Sequence, residues 1–325
     1  MPAAPPPSLP DCFCAGTKLM TLRGEVPVER LAPGEYALTL SGQGAALKQV
    51  TRIDVMEVDL GTRPEAAPVR ITAGAVAPGM PARDLLVSPG HAIALPDESE
   101  ARVLIPALYL VNGATIRRAP ATGTQRYFAV ALDSHDLLMA DGQACESDPP
   151  GDADAAFTSA GRAAAGCAPC LWGSAAEPFH ARLLERAGEL GHRLAENPAL
   201  ELRCNGDILE ALSETPTERV YLLPPGARQV DLLSRSTIPA ETRSGSTDRR
   251  RLGVPITALL HDGLALPLDG PAFAAGFLPP ERDGATAWRW TTGAATLDLP
   301  AHDFEVTLEL HTHAGWERYW DASPA

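Results

Sequence analysis

Aromatic residues make up only 5% of this 325-residue chain, so any core it builds rests mostly on alanine, leucine and valine. Cysteines number six, too few over this length for a disulfide scaffold. Positive charge is also scarce: 27 Lys and Arg face 41 Asp and Glu, a net charge of −14. Such a chain repels phosphate backbones, which argues against nucleic acid and anionic membranes as partners. The one basic run, Arg249-Arg250-Arg251, is short and reads as solvated surface. No apolar stretch approaches the ~20 residues that span a bilayer. The opening segment, MPAAPPPSLPD, lacks the basic and apolar regions of a secretory signal. Its five prolines favour an extended, disordered leader over residues 1–11. The default compartment is therefore cytoplasmic, with signal-less export left open.

Proline (31) and glycine (28), by contrast, are plentiful, and they punctuate many short apolar runs. TKLMTL, YALTL, VRITAG, DLLVSP, HAIAL, RVLIPALYLV, YFAVAL and DLLMA each have a strand's length and end in turn residues. The first half thus reads as all-β. Residues 148–174 are small and polar, a linker composition. One helix follows, with Phe179, Leu183, Ala187, Leu190 and Leu194 on a single stripe. Beyond residue 200 the β pattern returns. Asn205-Gly206 and Asp262-Gly263 are tight-turn signals, and ITALL-HDG-LALPL reads as a hairpin. The spacing predicts a mainly β protein in four parts: leader 1–11, all-β domain 12–147, linker 148–174, and helix plus β-sandwich-like domain 175–325.

Four short patterns in the first half carry chemistry. They are Cys12-Phe13-Cys14-Ala15-Gly16-Thr17; Val28-Glu29-Arg30-Leu31-Ala32-Pro33-Gly34-Glu35; Ser88-Pro89-Gly90-His91; and Leu132-Asp133-Ser134-His135-Asp136-Leu137-Leu138. Together, in this order, they resemble a bacterial Hint domain, the self-processing module of Hedgehog proteins and inteins, over about residues 12–147. The resemblance implies a horseshoe of short strands and the following chemistry. Cys12 attacks the carbonyl of Asp11, and the peptide becomes a thioester by an N-to-S acyl shift. His91 protonates the departing amide nitrogen, since imidazole titrates near neutrality. Ser88 holds the scissile peptide or positions the imidazole. Gly16, Thr17 and Asp133 support the motifs, and His135 either assists thioester resolution or orders its strand pair. The substrate is the chain's own N-terminal segment, in cis. The acyl acceptor is water or a small nucleophile, and neither metal nor cofactor is called for.

Two departures from the family pattern bear on activity. Inteins place an Asp seven residues before the last-block His, and here that position is Phe128, followed by Ala129. Inteins also end in a cyclising Asn, whereas Gln143-Ala144-Cys145-Glu146-Ser147 has none, so splicing is not expected. Only eleven residues precede Cys12, which leaves room for a true start upstream or for a retained scaffold.

Several other groups compete for a role. Cys14 would share a strand face with Cys12, their Cα atoms about 6.6 Å apart, near the outer limit for a disulfide. Cys167 and Cys170 have CxxC spacing but no second half-site and read as incidental. His302, His311 and His313 read as surface histidines. Trp288, Trp290, Trp316 and Trp320 suit either a sugar groove or, more often, a β-sandwich core. Besides autoprocessing, an inactive Hint scaffold with a ligand-binding, glycan-type C-terminal domain and a cysteine hydrolase acting in trans through Cys12 and His91 remain as readings.

Overall fold

The computed structural model describes residues 12–41, 44–148, 169–313, 315 and 317–321. The leader 1–11, most of the linker, Cys167 and Trp316 lie outside the described residues. The chain divides into two units, Met1–Gly191 and His192–Ala325. No helix among the described residues is long and apolar enough to cross a membrane.

Among its described residues the first unit has thirteen strands: β1 (Phe13–Cys14), β2 (Lys18–Thr21), β3 (Gly24–Pro27), β4 (Tyr36–Ser41), β5 (Gly44–Asp59), β6 (Val69–Ile71), β7 (Leu85–Val87), β8 (Ala92–Pro96), β9 (Arg102–Pro106), β10 (Ile116–Arg118), β11 (Thr124–Leu132), β12 (Leu137–Ala140) and β13 (Gln143–Glu146). They run β10-β6-β7-β1-β11-β5-β4-β2-β12-β13-β8-β9, with β3 on β2. The long β5 joins the two halves of this path. Its first residues pair with β4, Gln49 opposite Tyr36, and from Val50 to Asp59 it pairs with β11. A bulge between Ala131 and Leu132 bends the pair where the partners change. The bend lets one strand serve two parts of the sheet, as the horseshoe requires.

Burial follows the alternation of the strands. Phe13, Phe128 and Val130 point into the main core with Leu19, Val50, Ile71, Leu85, Ile93, Ile105 and Leu138. The residues between them, Cys12, Cys14, Tyr127 and Ala129, point to the opposite face, where they meet Val58, Leu60 and Ala66. Period-two alternation puts neighbours on opposite sides of a sheet, so the thiols and Phe13 cannot share a face.

The helix α1 (Glu177–Glu189) buries Phe179, Leu183 and Ala187 of the expected stripe, but it stops before Leu190, which is exposed, and Leu194, which lies in a strand, and it joins the first unit. The sequence placed it with the C-terminal domain. Its Phe179 and Leu183 are buried in the core of the first unit. The fully buried Asn112 fastens it: its amide donates to the Leu183 carbonyl at 3.2 Å, while its oxygen accepts the Ala114, Thr115 and Ile116 N–H groups. A stripe of leucines shows that a helix must bury a face, but not against which core. His180, on the same helix, sits 3.0 Å from the Val111 carbonyl through Nε2 and is buried. Burial pushes its imidazole below the ordinary 6.5, against a smaller upward effect of that hydrogen bond. It therefore stays neutral in the folded unit and donates. The unfolded chain then binds the extra proton, so stability falls as pH drops below 6.5. In urea titrations, His180→Gln is expected to flatten that acid-side loss of stability. An identical slope in the variant assigns it elsewhere.

Among the described residues the second unit holds an antiparallel sheet of eleven strands and a separate two-stranded one. Asn205 and Gly206, both at positive φ, turn Glu201–Cys204 into Asp207–Leu209. Asp262 and Gly263 do the same between Pro255–His261 and Leu264–Ala265. Of the tryptophans, Trp290 is buried. His302, read from sequence as a surface group, is also buried. Its Nδ1 lies 3.3 Å from Nε2 of His261, and its Nε2 lies 3.1 Å from the Pro224 carbonyl. Carbonyls turned inward at a loop gave this imidazole a buried place that spacing does not reveal.

Candidate functional site

The site is organised around β1. Though only two residues long, this strand is clamped on both sides. Phe13 stands opposite Phe128 of β11 and opposite Val87 of β7, and Cys14 opposite Tyr127. The chain leaves β1 through a tight turn in which the Thr17 N–H donates to the Cys14 carbonyl at 3.2 Å. Gly16 takes φ +90° there, a conformation open to glycine and strained for other residues. The Thr17 hydroxyl donates to the Leu86 carbonyl at 3.4 Å, tying the turn to β7. The Gly-Thr of the motif is thus what returns the chain and holds β1 in its slot.

Ser88 brackets Cys12 on the other side. The Cys12 N–H donates to the Ser88 hydroxyl oxygen at 3.1 Å. The Ser88 N–H donates to the Cys12 carbonyl at 2.9 Å. Both residues are buried. Ser88-Pro89-Gly90-His91 then closes as a β-turn, with the His91 N–H on the Ser88 carbonyl at 3.1 Å. This returns the fully buried His91 ring over Phe13, the two ring centroids 4.4 Å apart. Spacing of three between Ser88 and His91 therefore sets the hydroxyl against the Cys12 amide and the imidazole against Phe13, the next residue of the chain. Asp11, on the other side of the Cys12 amide, lies outside the described residues.

Ser88→Ala removes the acceptor from a buried N–H, and such a loss costs about 1–3 kcal/mol. The variant is expected to unfold at correspondingly lower denaturant concentration. A midpoint equal to that of the parent chain contradicts the clamp.

Neither thiol is in a disulfide among the described residues, and both are buried. Burial pushes the Cys14 thiol up to about 12, so it stays protonated at neutral pH and is a poor nucleophile. Tyr127 lies on the same face and was missed in the sequence. Its hydroxyl donates to the Ala66 carbonyl at 2.5 Å. Burial, and then negative charge at Cys14 and Cys12, push its ionisation far upward. The sequence singled out Phe128 and Ala129 as the places where an acid is missing. In register, Phe128 faces the main core and Ala129 stands on the thiol face, so alternation alone would have pointed to positions 127 and 129.

His135 makes a separate pair. Its Nε2 lies 2.8 Å from Glu146 Oε1, and both side chains are buried. Asp133 is exposed and pairs through its backbone with Gln49, the Asp133 N–H on the Gln49 carbonyl at 2.9 Å. Cys170 joins the edge of the first sheet by a parallel bridge to Leu104. Among the described residues no group of three or more His, Cys, Asp or Glu is arranged to hold a metal ion.

Residues 11–152 match the family model described as a Hint domain. Among solved structures, the chain is similar to a bacterial intein-like domain from Clostridium thermocellum, with 14% identity, coverage of 42% of this chain and 99% of that one, and a TM-score of 0.32. It is similar to the MchDnaB-1 intein, with 15% identity, coverage of 42% and 99%, and a TM-score of 0.29. A DnaB intein from Synechocystis gives 10% identity, coverage of 42% and 98%, and a TM-score of 0.28. No curated protein matches the chain.

Proposed function

With residues 11–152 a Hint domain, we propose that the chain cleaves itself at the Asp11–Cys12 bond by an N-to-S acyl shift. The Cys12 thiol passes its proton to His91 as its sulfur bonds to the Asp11 carbonyl carbon, the C–N bond breaks, and the Cys12 nitrogen leaves as an amine. His91 supplies the proton that this nitrogen needs. Ser88 holds the amide in place, its hydroxyl oxygen accepting the Cys12 N–H. The observation that carries this reading is the Cys12 N–H on the Ser88 hydroxyl at 3.1 Å: the departing nitrogen is the atom the motif serine grips. The region Gln143–Ser147 has no asparagine to cyclise. The reaction therefore ends at N-terminal cleavage or acyl transfer to water or a small nucleophile, without splicing.

Intact-mass measurement of the purified chain during incubation with a small thiol tests this. The reading expects loss of Met1 to Asp11 and a new N-terminal Cys12. An unchanged mass over days with thiol present overturns it. One observation favours a second reading, a retained Hint scaffold: Ala129 stands across from Cys12 where an acid would assist the shift. An inert mass together with an intact fold selects that reading.

A further inference from the structure

The acyl acceptor can be narrowed by what lies next to Cys12 along β11. The register that sets Phe13 opposite Phe128 puts Cys12 opposite Ala129, and Ala129 in turn faces Asp54 of β5. One residue further, the Val130 carbonyl accepts the Asp148 N–H at 2.8 Å. The other side of Val130 is taken by Ile53 of β5. Asp148 therefore runs along the β1 side of β11, about 3.3 Å of strand rise beyond the Cys12 row. Its side chain turns to the thiol face. Oδ2 meets Arg52 Nη2 at 2.6 Å, and Arg52 stands opposite Ala131, which alternation puts on the face of Ala129 and Cys12. Arg52 Nε is held in turn by Asp54 at 2.6 Å. The Asp148 side chain keeps 14% exposure, whereas Cys12 keeps none. The Asp148 carboxylate thus reaches water while the thiol does not, and the more exposed Asp54 is held by Arg52 Nε.

We propose that Asp148, oriented by Arg52, is the general base that directs water onto the Cys12 thioester, so that the N-terminal segment leaves as a free acid. The inference rests on the acyl shift described above. A water oxygen bonds to the thioester carbonyl carbon while its proton passes to the Asp148 carboxylate. The tetrahedral carbon then expels the Cys12 sulfur, which takes that proton back as a thiol. The products are residues 1–11 with a C-terminal carboxylic acid and a chain that begins at Cys12 with a free amino group. Burial raises the proton affinity of Asp148, Asp54 and Glu146 add to it, and Arg52 opposes them. A carboxylate raised in this way is a stronger base than a surface one. The charged and titratable groups around it are Arg52 and Asp54 on β5, Glu146 with its partner His135 beside β13, and Tyr127 and Cys14 further along the thiol face.

The test uses the full chain with hydroxylamine as the competing nucleophile, which captures the thioester without a protein base. In Asp148→Asn the ratio of hydrolysis to hydroxamate capture is expected to fall tenfold or more, general-base catalysis contributing about 10²–10⁴-fold. The acid limb of the hydrolysis pH profile is expected to vanish with it, and Asp148→Glu to restore part of both. An unchanged ratio and profile in Asp148→Asn overturns the inference while leaving the acyl shift standing. Loss of capture in Asp148→Asn but not in the parent chain also overturns it, because the residue would then act before the thioester. Absence of capture in the parent chain overturns the acyl shift and this inference together.

Discussion

Cys12→Ala is expected to abolish release of residues 1–11 while the protein stays folded. The thiol is the only protein group in the proposal that forms a bond to carbon, so its loss removes the reaction and not merely part of its rate. The structural cost is small by comparison. Cys12 is fully buried, and trimming one buried sulfur costs roughly 1 kcal/mol, too little to unfold a unit with so extended a core. Intact mass and circular dichroism on the same sample separate the two effects. Cys14→Ala serves as the contrast. Burial holds that thiol protonated, up to about 12, and it faces Tyr127 rather than the bond to be cut. Cleavage is therefore expected to persist in Cys14→Ala. If Cys12→Ala still releases the leader, or if Cys14→Ala alone abolishes release, the nucleophile has been misassigned.

His91→Ala is expected to slow cleavage by about 10²–10⁴-fold, the range for losing a positioned general acid. An amide nitrogen leaves only as it gains a proton. Without one, the tetrahedral carbon falls back to the peptide by expelling the better leaving group, the thiolate. The buried His91 ring lies against Phe13 at the end of β1. His91→Gln keeps most of the volume against Phe13 but carries no titrating proton, and it should be as slow as the alanine variant. A glutamine variant with the parent rate, measured by the time course of the mass change, would reduce His91 to a packing residue.

Much of this was legible in the sequence because the motifs are short and local. The Gly16-Thr17 turn and the Ser88-to-His91 turn each depend on a few neighbouring residues, and the structure sets Ser88 against Cys12 and the His91 ring against Phe13. The hairpins at Asn205-Gly206 and Asp262-Gly263 were readable for the same reason, since left-handed pairs leave a local mark. What escaped was non-local. The membership of α1 depends on Asn112 and the core it closes, far from the helix in sequence. Tyr127 and Asp148 are placed by register, and register is fixed by which strands pair, not by spacing along one of them. His302 became a buried residue through the carbonyls of loops that no periodicity describes. His135 lay between two roles in the sequence, and the structure gives it Glu146 as a partner.

The central claim is that the carbonyl before Cys12 passes onto its sulfur. Tandem mass spectrometry of the peptide released by hydroxylamine tests it most directly, because the nucleophile marks the carbon it attacks. The account predicts a single peptide, Met1 to Asp11, carrying a hydroxamate at Asp11, from the parent chain and none from Cys12→Ala. A hydroxamate at any other residue, or the same peptide from the alanine variant, would contradict it.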